Sequence, residues 1–441
     1  MKKLTTLFLS LMMALSLIAC GNTGTDTDST SNDNNESADS AQDNQDSVTL
    51  TFYANPSDNG AAAKVVEEFE KEYPGIHVEI VEMPSGTDDR KTTLSTVFQA
   101  QDDSIDVCLI DCTWPDEFIG AGWLADQSDN YTEEELQEFI PSTLDICYGQ
   151  DGGLYCTPAY INVGVLVYRD DLLKKYGFDA PASTWEELIS QCETIVAGEA
   201  AEGNTIAGYT SAWKEFEGLS CCAFEFMWDY GAEFSQDGTC TLDSTEAVKG
   251  LSVMKELVDK NLTDPGIRGY VWTDSQAIFN AGGAVYMRDW PASYQSAKDP
   301  ENSEVSDSVG ITSIPAGDAG TFTTNGGWYA AVSAYSSHPE EAKLFAKYLS
   351  GYQGMLAYAT QNGMLPARLA VYDDAALEGS AVAELLPIAD TCKNRPSSAY
   401  YSEYSSQIQL AVAAILDGSK DVQTGAQDMT ASIQSLMDDY N

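Results

Sequence analysis

Apolar and polar positions alternate in a regular way at the start of the folded region. Residues 48–54 alternate between apolar and polar side chains and are rich in β-forming residues, which predicts a strand. Residues 59–73 place apolar side chains at helical spacing, and residues 76–81 predict a second strand. Residues 87–100 predict a second helix, and residues 105–110 a third strand. This order predicts a parallel sheet with helices on its faces.

The carboxyl ends of such strands are where a ligand is expected. Asp111 and Trp114 follow the third predicted strand. Much later, Gly326 and Gly327 precede Trp328 and an apolar run that predicts a buried strand. Because glycine leaves the backbone open to close approach, we interpret this stretch as an aromatic face at the mouth of a cleft. The alternative is a core tryptophan behind a tight turn.

The N-terminal part of the chain predicts export. A basic start and an apolar run over residues 4–18, too short to span a bilayer comfortably, predict a signal peptide over residues 1–19. Residues 20–47 are almost entirely polar and predict a disordered tether. The junction resembles a bacterial lipobox, which implies cleavage before Cys20 and lipidation of its thiol; an ordinary signal peptide with a stray cysteine is the alternative. The residues that carry this resemblance are Leu17-Ile18-Ala19-Cys20-Gly21.

Charge and length narrow the classes of function. Asp and Glu number 69 against 22 Lys and Arg, for a formal charge of −47. This balance excludes a nucleic-acid surface and disfavours an anionic ligand, so a neutral solute is the easier fit. Residues 48–441 are too many for one hydrophobic core and predict two domains.

Cysteine and histidine usage does not indicate a metal site. Nine cysteines follow Cys20, an odd number, so at least one is not in an intramolecular disulfide. The chain has no Cys-x-x-Cys pair and only His77 and His338. We therefore expect no metal site and no cofactor.

A series of short blocks in the same order resembles the family 1 extracellular solute-binding proteins of ABC importers. The resemblance extends over nearly all of residues 48–437 and is greatest to the trehalose/maltose-binding branch. Asn162 stands where the family often has Asp. The blocks that carry the resemblance most clearly are Asp111-x-x-Trp114-Pro115, Ala121-Gly122-Trp123-Leu124, Pro181-x-x-Thr184-Trp185-Glu186-Glu187-Leu188, Arg288-Asp289-Trp290-Pro291, Gly326-Gly327-Trp328 and Asn394-Arg395-Pro396.

The resemblance implies an α/β, two-lobe, periplasmic-binding-protein-like fold of the class II type. Each lobe would be a mostly parallel sheet flanked by helices, with three hinge crossings near Tyr160, residues 311–315 and residues 362–366. The first lobe would comprise residues 48–160 and 313–363, and the second lobe residues 161–312 and 364–441.

The resemblance also implies a function. The protein would capture a di- or oligosaccharide between its lobes and deliver it to the permease subunits of an ABC transporter. We expect a monomer that binds no nucleic acid. Its lipid anchor would be its only membrane contact, on the extracellular face of a bacterium with a single membrane.

A sugar has apolar C–H faces and a rim of hydroxyl groups, which aromatic and polar side chains respectively complement. Asp111 and Arg395 are the first hydroxyl partners expected; Asp111 as a helix cap and Arg395 in a surface ion pair are the alternatives. The ligand-binding residues expected in all are Asp111, Trp114, Trp290, Gly327, Trp328, Arg395, Tyr400, Tyr401, Asn162, Arg90, Glu217 and Asp289.

The sequence also leaves room for different functions. A glycoside-acting enzyme would need two carboxylates across a cleft, and with 69 acidic residues such a pair can always be found. Because no nucleophile or metal motif is present, we expect a protein that is not an enzyme. The same lobes could instead bind a non-sugar solute, or serve a sensory or adhesive role.

Overall fold

The computed structural model describes residues 47–440 except residues 56–59, 85 and 390. The predicted signal peptide, Cys20 and nearly all of the tether lie outside the described residues. The strands are β1 (Val48–Ala54), β2 (Ile76–Glu82), β3 (Val107–Asp111), β4 (Cys156–Tyr160), β5 (Val165–Arg169), β6 (Ala207–Thr210), β7 (Ser235–Gln236), β8 (Thr239–Cys240), β9 (Ala284–Asp289), β10 (Val309–Ser313), β11 (Thr323–Thr324), β12 (Trp328–Val332) and β13 (Cys392–Lys393).

The helices separate the strands in sequence and cover the sheets. They are α1 (Ala61–Glu72), α2 (Thr87–Gln99), α3 (Pro115–Gly120), α4 (Glu133–Leu136), α5 (Pro141–Leu144), α6 (Asp170–Lys175), α7 (Trp185–Ala201), α8 (Glu217–Asp229), α9 (Thr245–Asp259), α10 (Trp272–Asn280), α11 (Pro291–Lys298), α12 (Pro339–Leu349), α13 (Tyr352–Asn362), α14 (Ala381–Ala389), α15 (Tyr401–Leu416) and α16 (Val422–Tyr440).

Two larger sheets organise the fold. The first has the order β2-β1-β3-β12-β4 and the second the order β10-β5-β9-β6. Strands β2, β1 and β3 run parallel, but β12 is antiparallel to both β3 and β4. In the second sheet only β6 and β9 are parallel. Both sheets are therefore mixed and not mostly parallel, because β12 and β5 enter directly from the other sheet and need no helical crossover.

Local sequence signals explain where several helices begin and end. Helix α7 begins after its N-cap residue Thr184, whose side-chain oxygen accepts a hydrogen bond from the Glu187 N–H at 3.2 Å. The spacing of apolar residues predicts one helix over residues 338–352. The structure instead ends α12 at Leu349 and begins α13 after Gly351, which is extended (φ −84°, ψ 176°) and so interrupts the helix.

Side chains from helices and strands pack tightly in both halves of the molecule. Phe345 of α12 lies 5.2 Å from Phe52 of β1 and 4.9 Å from Phe69 of α1, edge to face in both cases. In the second half, the Trp185 ring stacks on Phe226 at 4.1 Å. None of the described helices combines the length and apolar character needed to cross a membrane.

The cysteines of the described residues are all free thiols. Eight are buried and Cys392 is partly buried. Burial raises the pKa of the Cys222 thiol to about 11 and that of Cys392 to about 12. These thiols are therefore uncharged and weakly nucleophilic at neutral pH.

Candidate functional site

A cavity of about 210 Å³ lies where the ends of strands from the two sheets meet. Its lining comes from both sheets, from helices α2, α8, α10 and α11, and from the segments that connect the sheets. The lining residues are Thr87, Arg90, Asp111, Tyr160, Asn162, Glu217, Gly218, Cys221, Trp272, Thr273, Gln276, Asp289, Trp290, Ala292, Ser293, Gly326, Trp328, Met364 and Arg395.

The first wall of the cavity consists of Asp111, Tyr160, Trp328 and Arg90. Trp328 begins β12 and pairs with Asp111 at the end of β3 and with Tyr160 at the end of β4. Because β12 runs antiparallel to both strands, its first residue lies at the edge where they end. Trp114 packs edge to face behind the Trp328 ring at 5.5 Å, and this contact fixes the orientation of the ring.

Arg90 brings a positive charge to the first wall. Its guanidinium carbon lies 4.8 Å from the centre of the Trp328 ring, a cation–π arrangement. Its Nε donates to the Pro84 carbonyl at 2.7 Å and its Nη1 to Asn55 Oδ1 at 3.0 Å. Burial lowers the pKa of Arg90, but an arginine remains charged at neutral pH.

The second wall consists of Trp272, Asp289 and Trp290. The two indoles lie edge to face with centres 5.4 Å apart. Trp290 follows β9 directly and caps the start of α11, where Pro291 occupies the first helical position. The second wall therefore presents two aromatic rings beside a carboxyl group at the end of a strand.

The glycine pair before Trp328 makes room for protein and not only for a ligand. A Cβ on Gly326 would lie 2.6 Å from the Trp290 ring, and one on Gly327 would lie 2.9 Å from the Tyr160 carbonyl oxygen. Gly326 therefore admits the second-wall indole, and Gly327 admits the neighbouring backbone. Gly326 lines the cavity, whereas Gly327 does not.

Asp289 is the most completely buried carboxyl group of the site, with 0 % of its surface exposed. Its Oδ1 accepts a hydrogen bond from the Trp290 N–H at 2.7 Å, while its Oδ2 has no partner among the described residues. Burial raises the pKa of Asp289 to about 7, with the Trp290 N–H and Arg288 opposing the rise. Its protonation therefore changes near neutral pH.

Arg395 joins carboxylates from the two sides of the cavity. Its Nη1 forms an ion pair with Glu217 of α8, and its Nη2 lies 3.6 Å from Asp111 Oδ1. Nη2 also donates to the Asn325 carbonyl at 2.8 Å. The Arg395 side chain is only 1 % exposed. Its partners are thus buried groups of the site and not surface carboxylates.

Glu217 and Asp111 are held by further local bonds. Glu217 accepts from the Tyr401 hydroxyl and, at 2.6 Å, from the Ser405 hydroxyl. Burial raises the pKa of Glu217, and Arg395 acts against that rise. Asp111 Oδ1 accepts from the Thr113 N–H at 3.0 Å, a turn bond beside its role in the cavity wall.

The structure brings together two thirds of the residues predicted to bind ligand. Trp114 lies behind Trp328, and Tyr401 lies behind Glu217. Tyr400 points to a different cavity, where its ring stacks on Tyr440 at 3.4 Å. Together with Gly327, these residues do not line the site. The predicted residues that do line it are Arg90, Asp111, Asn162, Glu217, Asp289, Trp290, Trp328 and Arg395.

Sequence reasoning missed several lining residues. Thr87 stands at the start of a predicted helix and Tyr160 at the first predicted hinge crossing, and that placement alone could have identified them. The sequence gives no role to Trp272, and the residues of α10 and α11 carry no separate motif. The lining residues that were not predicted include Thr87, Tyr160, Cys221, Trp272, Gln276, Ser293 and Met364.

Three lining side chains hold a buried polar atom without a hydrogen-bond partner in the described part of the chain. They are Asn162 (Oδ1), Asp289 (Oδ2) and Arg395 (Nε). An unmade hydrogen bond of this kind costs about 1–3 kcal/mol. These two acceptors and one donor belong to side chains that line the cavity between its aromatic faces.

Comparison with known proteins indicates the family to which the chain belongs. The family profile described as bacterial extracellular solute-binding protein matches residues 53–355. A probable ABC transporter-binding protein of Deinococcus radiodurans is 32% identical over 332 residues, which cover 74% of this chain and 78% of the relative. The multiple sugar-binding protein of Streptococcus mutans is 23% identical over 80% of this chain and 82% of its own.

The solved structures agree with the sequence relatives. The maltose-bound MalE3 of T. maritima is 33% identical, covers 88% of this chain and 100% of its own, and superimposes with a TM-score of 0.82. The two-lobe α/β fold, the cavity between the two sheets and the family match lead to one assignment. The chain belongs to the bacterial extracellular solute-binding proteins of ABC transporters, and it is not an enzyme.

Proposed function

We propose that the protein captures a neutral carbohydrate of one or two sugar rings and delivers it to an ABC transporter permease. The observation that carries this proposal is the pair of facing aromatic walls, with Trp328 on one side and Trp290 and Trp272 on the other. Aromatic faces on both sides suit a flat ligand with apolar C–H surfaces.

The polar groups of the cavity support the same ligand class. Asn162 Oδ1 and Asp289 Oδ2 can accept hydrogen bonds from sugar hydroxyls, and Arg395 Nε can donate one. The formal charge of −47 disfavours anionic solutes. A neutral polyhydroxyl compound satisfies these groups without bringing a charge of its own.

The related proteins and the cavity size narrow the kind and the size of the proposed sugar ligand. T. maritima MalE3 was solved with maltose, and relatives include a multiple sugar-binding protein and the arabinooligosaccharide-binding protein of Bacillus subtilis. The cavity of about 210 Å³ lies below the roughly 300–1,000 Å³ typical of drug-sized ligands. One or two rings therefore fit better than a long oligosaccharide.

Capture would be coupled to closure of the two lobes. We assign residues 48–160 and 313–363 to the first lobe and residues 161–312 and 364–441 to the second. Because the ligand would contact walls from both, it binds the closed arrangement more tightly and shifts the population towards it. The closed form is the one that would dock on the permease.

Anchoring at the extracellular face of the membrane is the remaining part of the proposal. Lipidation of Cys20, with the tether over residues 20–47, would keep the soluble domain at the cell surface. Incorporation of labelled palmitate into the full chain, lost in Cys20→Ala, tests this part. Release of the unlabelled wild-type protein into the medium would overturn it.

Isothermal titration calorimetry on residues 47–441 tests the ligand assignment. Maltose, trehalose and their monosaccharides are the ligands, and amino acids are the controls. We expect micromolar or tighter binding of at least one sugar, with the sugar recovered unchanged. Binding of an amino acid in place of every sugar would contradict the proposal. The amino-acid arm is a meaningful control, since a relative of 24% identity is described as a probable amino-acid ABC transporter periplasmic-binding protein.

A further inference from the structure

Arg288 of β9 lies behind the second wall and does not line the cavity. Its guanidinium carbon is 4.3 Å from the centre of the Trp290 ring and 5.0 Å from that of Trp272. The side chain is 1 % exposed. One planar cation therefore supports both indoles of the second wall from the protein side.

A buried carboxylate fixes this guanidinium. Arg288 Nε donates to Glu225 Oε2 at 2.8 Å, and Arg288 Nη2 forms an ion pair with Glu225 Oε1. The Glu225 side chain, from α8, is 3 % exposed. Burial acts against the charged form of Arg288, but Glu225 outweighs it and the pKa of the arginine is raised. The two-point contact sets the plane of the guanidinium as well as its position.

The same carboxylate also holds a segment that connects the two sheets. Glu225 Oε1 accepts from the Thr324 N–H at 3.0 Å and from the Thr324 hydroxyl at 2.8 Å. The Thr323 hydroxyl lies 3.1 Å from Glu225 Oε1 and 3.1 Å from the Gly164 carbonyl oxygen. Thr323 and Thr324 lie between β10 and β12, on one connection between the sheets.

A second connection between the sheets packs against the Arg288–Glu225 pair at Gly164. It lies between β4 and β5, where the chain leaves the first sheet for the second. A Cβ on Gly164 would lie 2.3 Å from Glu225 Oε1 and 2.5 Å from Arg288 Nη2. Only a glycine lets this backbone approach the ion pair so closely.

We propose that Arg288 and Glu225 form a positioning unit that ties the aromatic second wall to two of the connections between the lobes. An apolar residue in place of Arg288 could fill the volume behind the rings, but it could not hold Glu225 in place beneath the Thr324 N–H. Ligand contact with Trp290 and movement at the connections are thereby linked through one buried pair. The ligand side of this inference rests on the proposed function.

A second buried arginine offers a matched control. Arg368 forms an ion pair with Glu138, lies 4.0 Å from the Phe139 ring centre, and donates from Nε to the Ser350 carbonyl at 2.9 Å. Its side chain is 7 % exposed. Like Arg288 it is a buried arginine with an ion pair and an aromatic contact, but its carboxylate partner is 57 % exposed and it does not line or support the cavity.

The test compares Arg288→Lys with Arg368→Lys. Lysine keeps the charge but loses the planar fork. Binding of the wild-type sugar ligand and the melting temperature are measured for both variants. We expect Arg288→Lys to weaken binding at least about tenfold and Arg368→Lys to weaken it less than about twofold, each measured at a temperature where the variant is fully folded. Equal losses of affinity in the two variants would overturn the inference.

Gly164→Ala provides a second test of the inference that needs no ligand. The added methyl group pushes against Glu225 while both members of the pair remain present. We expect faster hydrogen exchange at the Thr324 amide, at least about tenfold over wild type, and a changed tryptophan emission. Unchanged exchange at Thr324 would overturn the link to the connections. A wild-type protein that binds no sugar would defeat the proposed function alone, since this arm is read on the free protein.

Discussion

The two walls of the cavity combine tryptophan and arginine in opposite ways. On the first wall, Arg90 lies over Trp328 and lines the cavity, while Trp114 supports the ring from behind. On the second wall, Arg288 is the support from behind, and two indoles face the cavity. The same pair of residue types thus presents a cation to the ligand on one side and hides it on the other.

The partners of the two arginines explain the difference. Arg90 donates to neutral acceptors, the Pro84 carbonyl and the Asn55 amide oxygen. Arg288 is paired with the buried carboxylate of Glu225. The ion-paired guanidinium of Arg288 acts mainly as a rigid surface behind the rings, whereas the guanidinium of Arg90 lies at the cavity itself and can present its charge there. The first wall can therefore contribute to ligand specificity. The positions of the two second-wall rings depend on how firmly Arg288 and Glu225 are held behind them.

Removing one ring from each wall gives the largest expected effects. We expect Trp290→Ala and Trp328→Ala each to weaken sugar binding on the order of 100-fold, as for a buried aromatic anchor. Trp290→Ala should also cost more stability, because it uncovers the Arg288–Glu225 pair. Calorimetric titration measures the first effect and thermal unfolding the second. A loss below about fivefold in either variant would show that its wall does not contact the ligand.

Asp289 should make the second wall sensitive to pH. Its pKa in the folded protein is raised to about 7, so its contribution to stability is complete at acidic pH and is lost as pH rises through 7. A sugar hydroxyl that donates to Oδ2 favours the carboxylate, so wild-type affinity should rise between pH 6 and pH 8, by up to about tenfold. Titrations at both pH values check this.

The matched variant for this prediction is Asp289→Asn, which resembles the protonated acid in shape and charge. It should show a flatter dependence of both affinity and melting temperature on pH. Trp328→Phe changes the other wall and leaves Asp289 in place, so this variant should keep the wild-type slope. A slope that persists in Asp289→Asn would exclude this carboxyl as its source.

Gly326→Ala tests how closely the two walls approach each other. The added Cβ would lie 2.6 Å from the Trp290 ring, so the ring must move. We expect about tenfold weaker binding and a loss of roughly 1–3 kcal/mol in unfolding free energy, as for overpacking. Gly120→Ala is the control, because a Cβ there meets nothing within 4 Å, and it should be neutral or slightly stabilising. Similar behaviour of the two variants would argue against the close approach.

The smallest effect is expected behind the first wall. Trp114→Phe keeps an aromatic contact with Trp328, but the smaller ring covers less of the Trp328 surface. Because Trp328 itself stays in place, we expect only a few-fold loss of sugar affinity. The change should appear mainly as faster dissociation, since the ring is less well held. Stopped-flow measurement of tryptophan fluorescence separates the two rate constants, and a change confined to association would contradict this view.

The fold was more predictable than the site because periodicity reports local structure. Strand β1 has its predicted bounds, and α2 and β2 differ from theirs by one residue. The split of the helix predicted over residues 338–352 depends on the extended backbone of Gly351, which spacing of apolar residues does not reveal. The mixed direction of the sheets depends on which sheet a strand enters, and that is a tertiary property.

The site was predictable where a residue ends a strand. Asp111 was found in this way, whereas Asp289 and Trp290, at the end of β9, were found through the resemblance to the solute-binding family. Tyr400 and Tyr401 are neighbours in sequence, but one stacks on Tyr440 and the other binds Glu217, a distinction set by the orientation of α15. The role of Arg288 could not be predicted, because it depends on Glu225, which is 63 positions away.

The free thiols of the protein can be used to measure opening of the cavity. Cys221 is 3 % exposed and lines the cavity, while the other cysteines of α8 and of the sheets are enclosed by the core. Since a thiol-specific alkylating reagent reacts only with a sulfur it can reach, under the proposed lobe closure the labelling rate at Cys221 would record how often the lobes part. Labelling at the other fully buried cysteines records global unfolding, whereas the partly buried Cys392 is left out of that comparison. The native Cys221 thiol thus reports the frequency of opening, and the fully buried thiols give the baseline, without an engineered cysteine.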